Sequence, residues 1–419
     1  MKNIIILILL LIIPLIGFSQ VWKETYGGND DDEGFSVQQT TDGGYIVCGG
    51  TTNTLWDGYL LKIDGNGLEQ WSKIFSGLGT GTVFNSVQQT TDGGYIICGN
   101  TGGYVYIVKT DENGIEQWNH IGGTVNTSTS GHSVQQTSDG GYIVVGHQDS
   151  DIFVIKINSN GSKDWQETYG GSLGDIGLSI QQTTDGGYII TGETDSFGNG
   201  NSDVYMLKLS GWGVEQWNKT FGGTGYDYGL SIQQTTDGGY VIVGGTGSFG
   251  NGHDAYLVKT DENGIEQWIK TFGYTSYDDW GCSVQQTNDG GYIFCGAQGD
   301  NDWIWLVKTD SYGDTIWTKN YTNDYFPNSG NEVGNSVQQT TDGGYIVTGR
   351  GYDLTGQQVV LIKTNSYGNI TSTFNIPINP NRKLEKIVDV LGRKITPKNN
   401  IPFIEIYNDG STDKKIIID

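Results

Sequence analysis

The sequence predicts an all-β protein: a seven-bladed β-propeller of four-stranded antiparallel blades over residues 21–370, then a small β-sandwich-like domain over residues 371–419. Three observations carry this expectation. Asp-Gly-Gly-Tyr occurs seven times, beginning at Asp42, Asp92, Asp139, Asp185, Asp237, Asp289 and Asp342, at intervals of 50, 47, 46, 52, 52 and 53 residues. A period near fifty means one supersecondary unit copied and stacked. Each copy breaks into short pieces rich in Val, Ile, Tyr, Trp and Thr, bounded by Gly, Asn or Asp, and none carries a helical period. A Trp also recurs once per unit, from Trp22 and Trp71 to Trp317, which marks the fourth strand. A β-helix needs shorter coils, and a linear array leaves an unpaired edge at each end.

Residues 1–20 come first. Lys2 precedes an apolar run from Ile4 to Ile16, and Gly17-Phe18-Ser19-Gln20 follows. The run is too short and too terminal for a membrane span and reads as a secretory signal peptide, so no span is expected after its removal.

The repeat itself opens at Ser36-Val37-Gln38-Gln39, turns through Thr40-Thr41-Asp42-Gly43-Gly44, and continues as Tyr45-Ile46-Val47-Cys48-Gly49. Gly58-Tyr59-Leu60-Leu61-Lys62-Ile63 is the third strand, Asp64-Gly65-Asn66-Gly67 the next tight turn, and Glu69-Gln70-Trp71 opens the fourth. Gly and Asn at these turns accept positive φ. The paired glutamines occur in all seven copies, which favours amide bonds to neighbouring strands over a role in catalysis. The last copy, ending at Ile370-Thr371, has no Trp strand; Val21-Trp22-Lys23-Glu24-Thr25-Tyr26 supplies one from the other end of the chain and closes the ring. The alternative phase, in which the Trp strand opens each blade, also yields seven blades.

After residue 371 the composition shifts. Pro377, Pro380, Pro397 and Pro402 appear, against Pro327 alone in the repeats, and Lys and Arg become frequent. Strand-like pieces remain at Ile387-Val388-Asp389-Val390, Phe403-Ile404-Glu405-Ile406-Tyr407 and Lys415-Ile416-Ile417-Ile418. With Leu391-Gly392-Arg393-Lys394, Asn408-Asp409-Gly410 and the terminal Lys414-Lys415, these segments resemble the C-terminal sorting domain (type A) of the type IX secretion system of Bacteroidetes. The resemblance covers the last 45 or so residues. It implies export across the outer membrane by that machinery, with Asp389, Gly392, Arg393, Tyr407, Gly410, Lys414 and Lys415 in the signal, then removal of the tail and release or attachment at the cell surface.

A net charge of −24 disfavours nucleic acid, since phosphate contacts need clustered Lys or Arg. It suits a soluble extracellular surface, and a monomer is expected. Of the four cysteines, Cys48, Cys98 and Cys295 occupy one strand position filled elsewhere by Val or Thr. Cys282 lies on the strand before Cys295, and a Cys282–Cys295 bridge is a candidate in an oxidising destination.

Alternate connections of an antiparallel blade emerge on the same face, so one face is regular and the other carries every variable loop, where function is usually grafted. The candidate ligand-binding residues lie there: Asp32, Asp175, Asp227, Asp279 and Glu332 just before the inner strands, with Tyr226, Tyr228, Tyr277 and Trp280 nearby. Carboxylates with stacking aromatics suit a glycan or a cationic peptide; the competing reading is that each Asp bonds its own loop backbone. No cofactor is expected. Calcium would want several oxygen ligands, but no Asp-x-Asp-x-Asp-Gly spacing occurs. His132 and His147, with Asp149 and Asp151, are the one His grouping.

Thr40-x-Asp42-x-Gly44 resembles part of the Asp-box turn of sialidases. That family grips its substrate with three arginines, whereas this chain holds only Arg350, Arg382 and Arg393, two of them in the tail. No Gly-x-Ser-x-Gly or His-Glu-x-x-His motif occurs. The expectation is therefore a secreted, non-enzymatic binding or surface-display propeller; the alternative is a polysaccharide hydrolase or lyase using carboxylates and tyrosines of the variable face.

Overall fold

The computed structural model describes residues 21–52, 55–79, 81–123, 128–250, 252–273, 278–299, 303–321, 332–352 and 356–370, and in the tail 384–388, 393–396, 403–407 and 412–415. The signal-peptide assignment lies outside the described residues. Seven four-stranded antiparallel sheets form the propeller. In the first blade the inner strand is Asp32–Gln39, the second Tyr45–Thr52, the third Trp56–Ile63 and the outer Glu69–Phe75.

The third strand explains the arrangement of the core. It is sandwiched between two neighbouring blades, so Tyr59-Leu60-Leu61-Lys62-Ile63 is buried on both faces, and the outer strand alternates because one of its faces meets water. Hydrophobic clusters accordingly form between blades: Val47, Tyr59 and Leu61 of the first blade pack with Ile346, Val359 and Leu361 of the seventh. A lysine in such a strand needs a partner, and each has one. Lys62 reaches the Asp-Gly-Gly-Tyr turn of its own blade, with Nζ 2.9 Å from Asp42 Oδ2, and also donates to the Ile63 carbonyl and Gln70 Oε1. Asp42 in turn accepts from Thr40 Oγ1 and the Gly44 N–H. The same pairing recurs in every blade, ending with Lys363 and Asp342.

The ring closes through the N-terminal strand. Trp22–Tyr26 pairs antiparallel with Gln357–Thr364, with Trp22 opposite Lys363 and Tyr26 opposite Val359, so the seventh blade takes its outer strand from the start of the chain. This settles the phase left open by the sequence. Trp22 meets Tyr45 edge-on at 6.0 Å, as Trp71 meets Tyr95 at 5.9 Å. Each outer-strand Trp thus leans on the Asp-Gly-Gly-Tyr tyrosine of the next blade and beneath the positive-φ glycine of its last turn; a Cβ on Gly213 (φ 76°) would lie 2.9 Å from the Trp165 ring.

The repeated glutamines join the blades at their inner edges. The first of each pair accepts a backbone N–H from the next blade: Gln89 N–H to Gln38 Oε1 at 2.5 Å, and across the closure Gln39 N–H to Gln338 Oε1 at 2.6 Å. The second accepts in the opposite sense, as Thr41 N–H does to Gln89 Oε1 at 2.9 Å and Thr341 N–H to Gln39 Oε1 at 2.9 Å. The structural reading of these amides holds in all seven copies.

The chain divides at Thr371/Ser372 into two compact units. The second holds a three-stranded antiparallel sheet of Leu384–Val388, Phe403–Tyr407 and Thr412–Lys415. The middle strand lies where expected, and Lys414 and Lys415 pair with Ile404 and Phe403; of the other two expected pieces, residues 389–390 and 416–418 lie outside the described residues. Arg393 is exposed, Tyr407, Lys414 and Lys415 lie in strands, and Asp389, Gly392 and Gly410 lie outside the described residues.

Candidate functional site

The carboxylates singled out on the variable face turn inward. Asp175, Asp227 and Asp279 are fully buried, and Asp32 and Glu332 nearly so. Asp175 accepts from the Gly171 N–H and Ser196 Oγ, both at 2.7 Å, and from Thr194 Oγ1 on the opposing strand. Asp227 does the same with Gly223 N–H at 2.9 Å, Ser248 Oγ at 2.5 Å and Thr246 Oγ1. Asp32 accepts from the Gly28 N–H at 2.9 Å and Asp279 from the Gly299 N–H at 2.8 Å. The four aspartates tie their loops to their blades, which is the local-backbone role Asp commonly plays in turns. In the second blade two threonines do this work without charge, Thr82 and Thr101 Oγ1 lying 2.9 Å apart.

The aromatics divide differently. Tyr226 is 57% exposed. Phe197 and Phe249 stack on Tyr205 and Tyr256 at 5.6 and 5.7 Å while keeping an open edge. Tyr277 lies outside the described residues. Tyr228 and Trp280 start two adjacent inner strands and are half-buried near the axis.

That axial end is where the repeat breaks its symmetry. Every inner strand carries a β-bulge, between Gly34 and Ser36 in the first blade and at the same place in the others. A bulge leaves one residue outside the ladder and re-aims its side chain. The flanking residues hardly vary, but the bulged one is Phe35, Asn85, His132, Leu178, Leu230, Cys282 or Asn335. The second-strand position two residues past the Cys/Val/Thr site varies as much, from Gly50 and Asn100 through His147 and Glu193 to Arg350.

Polar groups gather here. Glu33 accepts from Asn335 Nδ2 at 3.1 Å and Gln357 Nε2 at 3.4 Å, and lies 3.7 Å from the Arg350 guanidinium, joining the first and seventh blades. Burial raises the Glu33 carboxyl above its ordinary range despite Arg350 and Asn335. Burial, with help from Asp195, likewise raises Glu193. Burial pushes the Cys282 thiol up to about 12, against a hydrogen bond from Trp280 and the charge of Arg350. Tyr228 feels both Cys282 and Glu193, and its hydroxyl is raised chiefly by burial; its ring stacks near His253 at 6.3 Å. Glu193, Tyr228, Trp280, Arg350 and Glu33 occupy one register row of five consecutive blades, four to one, with Cys282 two residues after Trp280, and so form an arc at this end. It brings together Tyr228 and Trp280, and it adds Glu33, Glu193 and Arg350, which sequence reasoning missed. The signal was the variable residue inside an otherwise constant strand.

The expected disulfide is not formed. The bulge puts Ser283, not Cys282, opposite Cys295, and all four thiols are free. Cys295 instead donates to the Gly334 carbonyl at 3.2 Å. His132 Nε2 and His147 Nδ1 lie 2.9 Å apart. Burial and the neighbouring ring lower His132 to about 4, and burial lowers His147. Among the described residues no group of three or more His, Cys, Asp or Glu side chains is placed to hold a metal.

No known family's sequence pattern matches this chain, and no curated protein matches it. Solved structures do. The Pan2 WD40 domain of Neurospora crassa superposes with a TM-score of 0.55 at 13% identity, over 83% of this chain and 97% of that one. A protein of unknown function from Bacteroides caccae matches with a TM-score of 0.44 at 14% identity, over 70% and 94%. Another from Dyadobacter fermentans matches at 0.47 and 10% identity, over 83% and 100%. The likeness to the Pan2 domain is one of fold. The chain is a seven-bladed β-propeller with one regular face and one variable face.

Proposed function

We propose that this chain is an exported, non-enzymatic binding or surface-display propeller that holds a glycan or protein ligand on its variable-loop face, at the axial mouth. The observation that carries this reading is where variation falls: the scaffold repeats seven times, and the side chains that differ from blade to blade converge on the axis beside Tyr228, Trp280 and Arg350. Half-buried aromatic rings beside a carboxylate–guanidinium pair suit a sugar ring or a peptide side chain. The inward-facing loop carboxylates support binding over glycoside cleavage, which needs two acids aimed at one bond. The signal-peptide pattern and the type IX-like tail support export to the medium or the cell surface; a monomer with no cofactor completes the reading.

A glycan array followed by mass analysis of the ligand tests it. Retention of an intact ligand, lost in Trp280→Ala, is expected; a shortened product would establish the hydrolase or lyase alternative. Export is tested separately by deleting residues 372–419 in a host with a type IX system: the truncated chain is expected to stay in the periplasm, and undiminished secretion would refute that part.

A further inference from the structure

The regular end of the axis holds a second feature, independent of the proposed ligand face. A cavity of about 240 Å³ runs along the axis, lined by one Val or Ile and one Gln from every blade, beginning with Val37 and Gln38 and ending with Val337 and Gln338. The orientation of each amide is not open to choice. The atom facing the next blade's backbone N–H must be an acceptor, so it is Oε1. Each Nε2 then projects away from that bond, and among the described residues none of the seven has a protein acceptor. Gln38 and its six counterparts therefore surround the axis with amide donors whose own oxygens are already engaged.

We propose that this ring is a binding site for an oxyanion, of the carboxylate, phosphate or sulfate class. The donor set decides the class. A sugar hydroxyl brings a hydrogen that needs an acceptor, and here each ring oxygen already accepts one backbone N–H while each Nε2 keeps two free donors, so donors outnumber the acceptor positions left. An oxyanion brings acceptors only and matches a ring of donors. The nearby charge pattern permits it: the seven Asp residues of the adjoining turns are each neutralised by a buried lysine, from Asp42 with Lys62 to Asp342 with Lys363. The Val and Ile ring gives an apolar collar on which the hydrocarbon part of an organic acid would rest.

Inorganic phosphate is the probe. Thermal unfolding of the full chain is followed against phosphate concentration at constant ionic strength made up with sodium chloride, with myo-inositol as a neutral control. A saturable rise in Tm with phosphate and none with myo-inositol is expected. The paired variant Gln135→Glu/Gln285→Glu keeps an acceptor for the Gln182 and Gln339 N–H groups while replacing two donors with carboxylates. It is expected to fold with the same circular dichroism and to bind phosphate at least tenfold more weakly. No saturable shift in the wild type, an equal shift with myo-inositol, or full binding by the folded variant would overturn the proposal; the wild-type titration decides the matter alone if the variant does not fold.

Discussion

Cutting one lysine–aspartate latch asymmetrically tests what the repeated turn does. Lys208 is 3% exposed, and its Nζ lies 3.0 Å from Asp185 Oδ2 and 3.2 Å from both the Leu209 carbonyl and Gln216 Oε1. Asp185→Ala removes the countercharge together with the acceptor of Thr183 Oγ1 and the Gly187 N–H. Stranding a buried charge costs about 3–5 kcal/mol. The Asp185 side chain is 59% accessible, so solvent already screens part of the attraction and about 2–3 kcal/mol is expected. Lys208→Met keeps the apolar stem in the same slot and leaves behind an exposed, hydrated carboxylate, so its cost is about 0–1 kcal/mol. Urea unfolding followed by tryptophan fluorescence reads both as a shift in midpoint at constant slope. If Lys208→Met were as damaging as Asp185→Ala, the latch would be a packing device and the electrostatic argument would be wrong.

The latch also sets the response to acid. Burial alone would raise the Asp185 carboxyl, but hydrogen bonds from Thr183, Gly187 and Lys208 outweigh it and hold it at about 2, as their counterparts do for Asp42, Asp139 and Asp342. Unfolded carboxyls titrate at about 4, so this stabilisation is complete above about pH 4 and is lost as pH falls through 2; a pH series of urea midpoints should fall steeply there, and a flat profile would refute it. The histidine pair works in a higher window. His132 titrates at about 4 in the fold against about 6.5 unfolded. Stability from keeping it neutral is therefore full above about pH 6.5 and declines towards 4, and His132→Gln should flatten that stretch of the profile. Gly213→Ala should cost about 2 kcal/mol, from the positive φ and the approach to Trp165 together. Trp22→Ala should cost about 2–3 kcal/mol in the same assay, less than for a fully buried indole because Trp22 is half-exposed.

Much of the fold was legible because it is written seven times. Turn glycines, strand lengths and the outer Trp recur at one period, and the odd Trp strand at residues 22–26 pointed to its partner at residues 357–364. The site was less legible for a physical reason. Asp in a loop reads equally well as ligand or as tie, and only burial separates Asp227, closed in by Gly223, Thr246 and Ser248, from a carboxylate facing solvent. Glu33 and Arg350 are 317 residues apart in sequence and meet only because the ring closes. Cys282 shows the limit of counting along a hairpin: one bulged residue moves it out of register with Cys295.

Hydrogen–deuterium exchange of the closing strand tests the central claim most directly. A peptide spanning residues 22–26 should exchange as slowly as the outer strand of an interior blade, such as Glu215–Phe221, and open only with the ring as a whole. Exchange of residues 22–26 at the rate of an unstructured terminus, while Glu215–Phe221 stayed protected, would mean that the ring is not sealed by this strand, and the meeting of Glu33 with Asn335 and Arg350 would lose its basis.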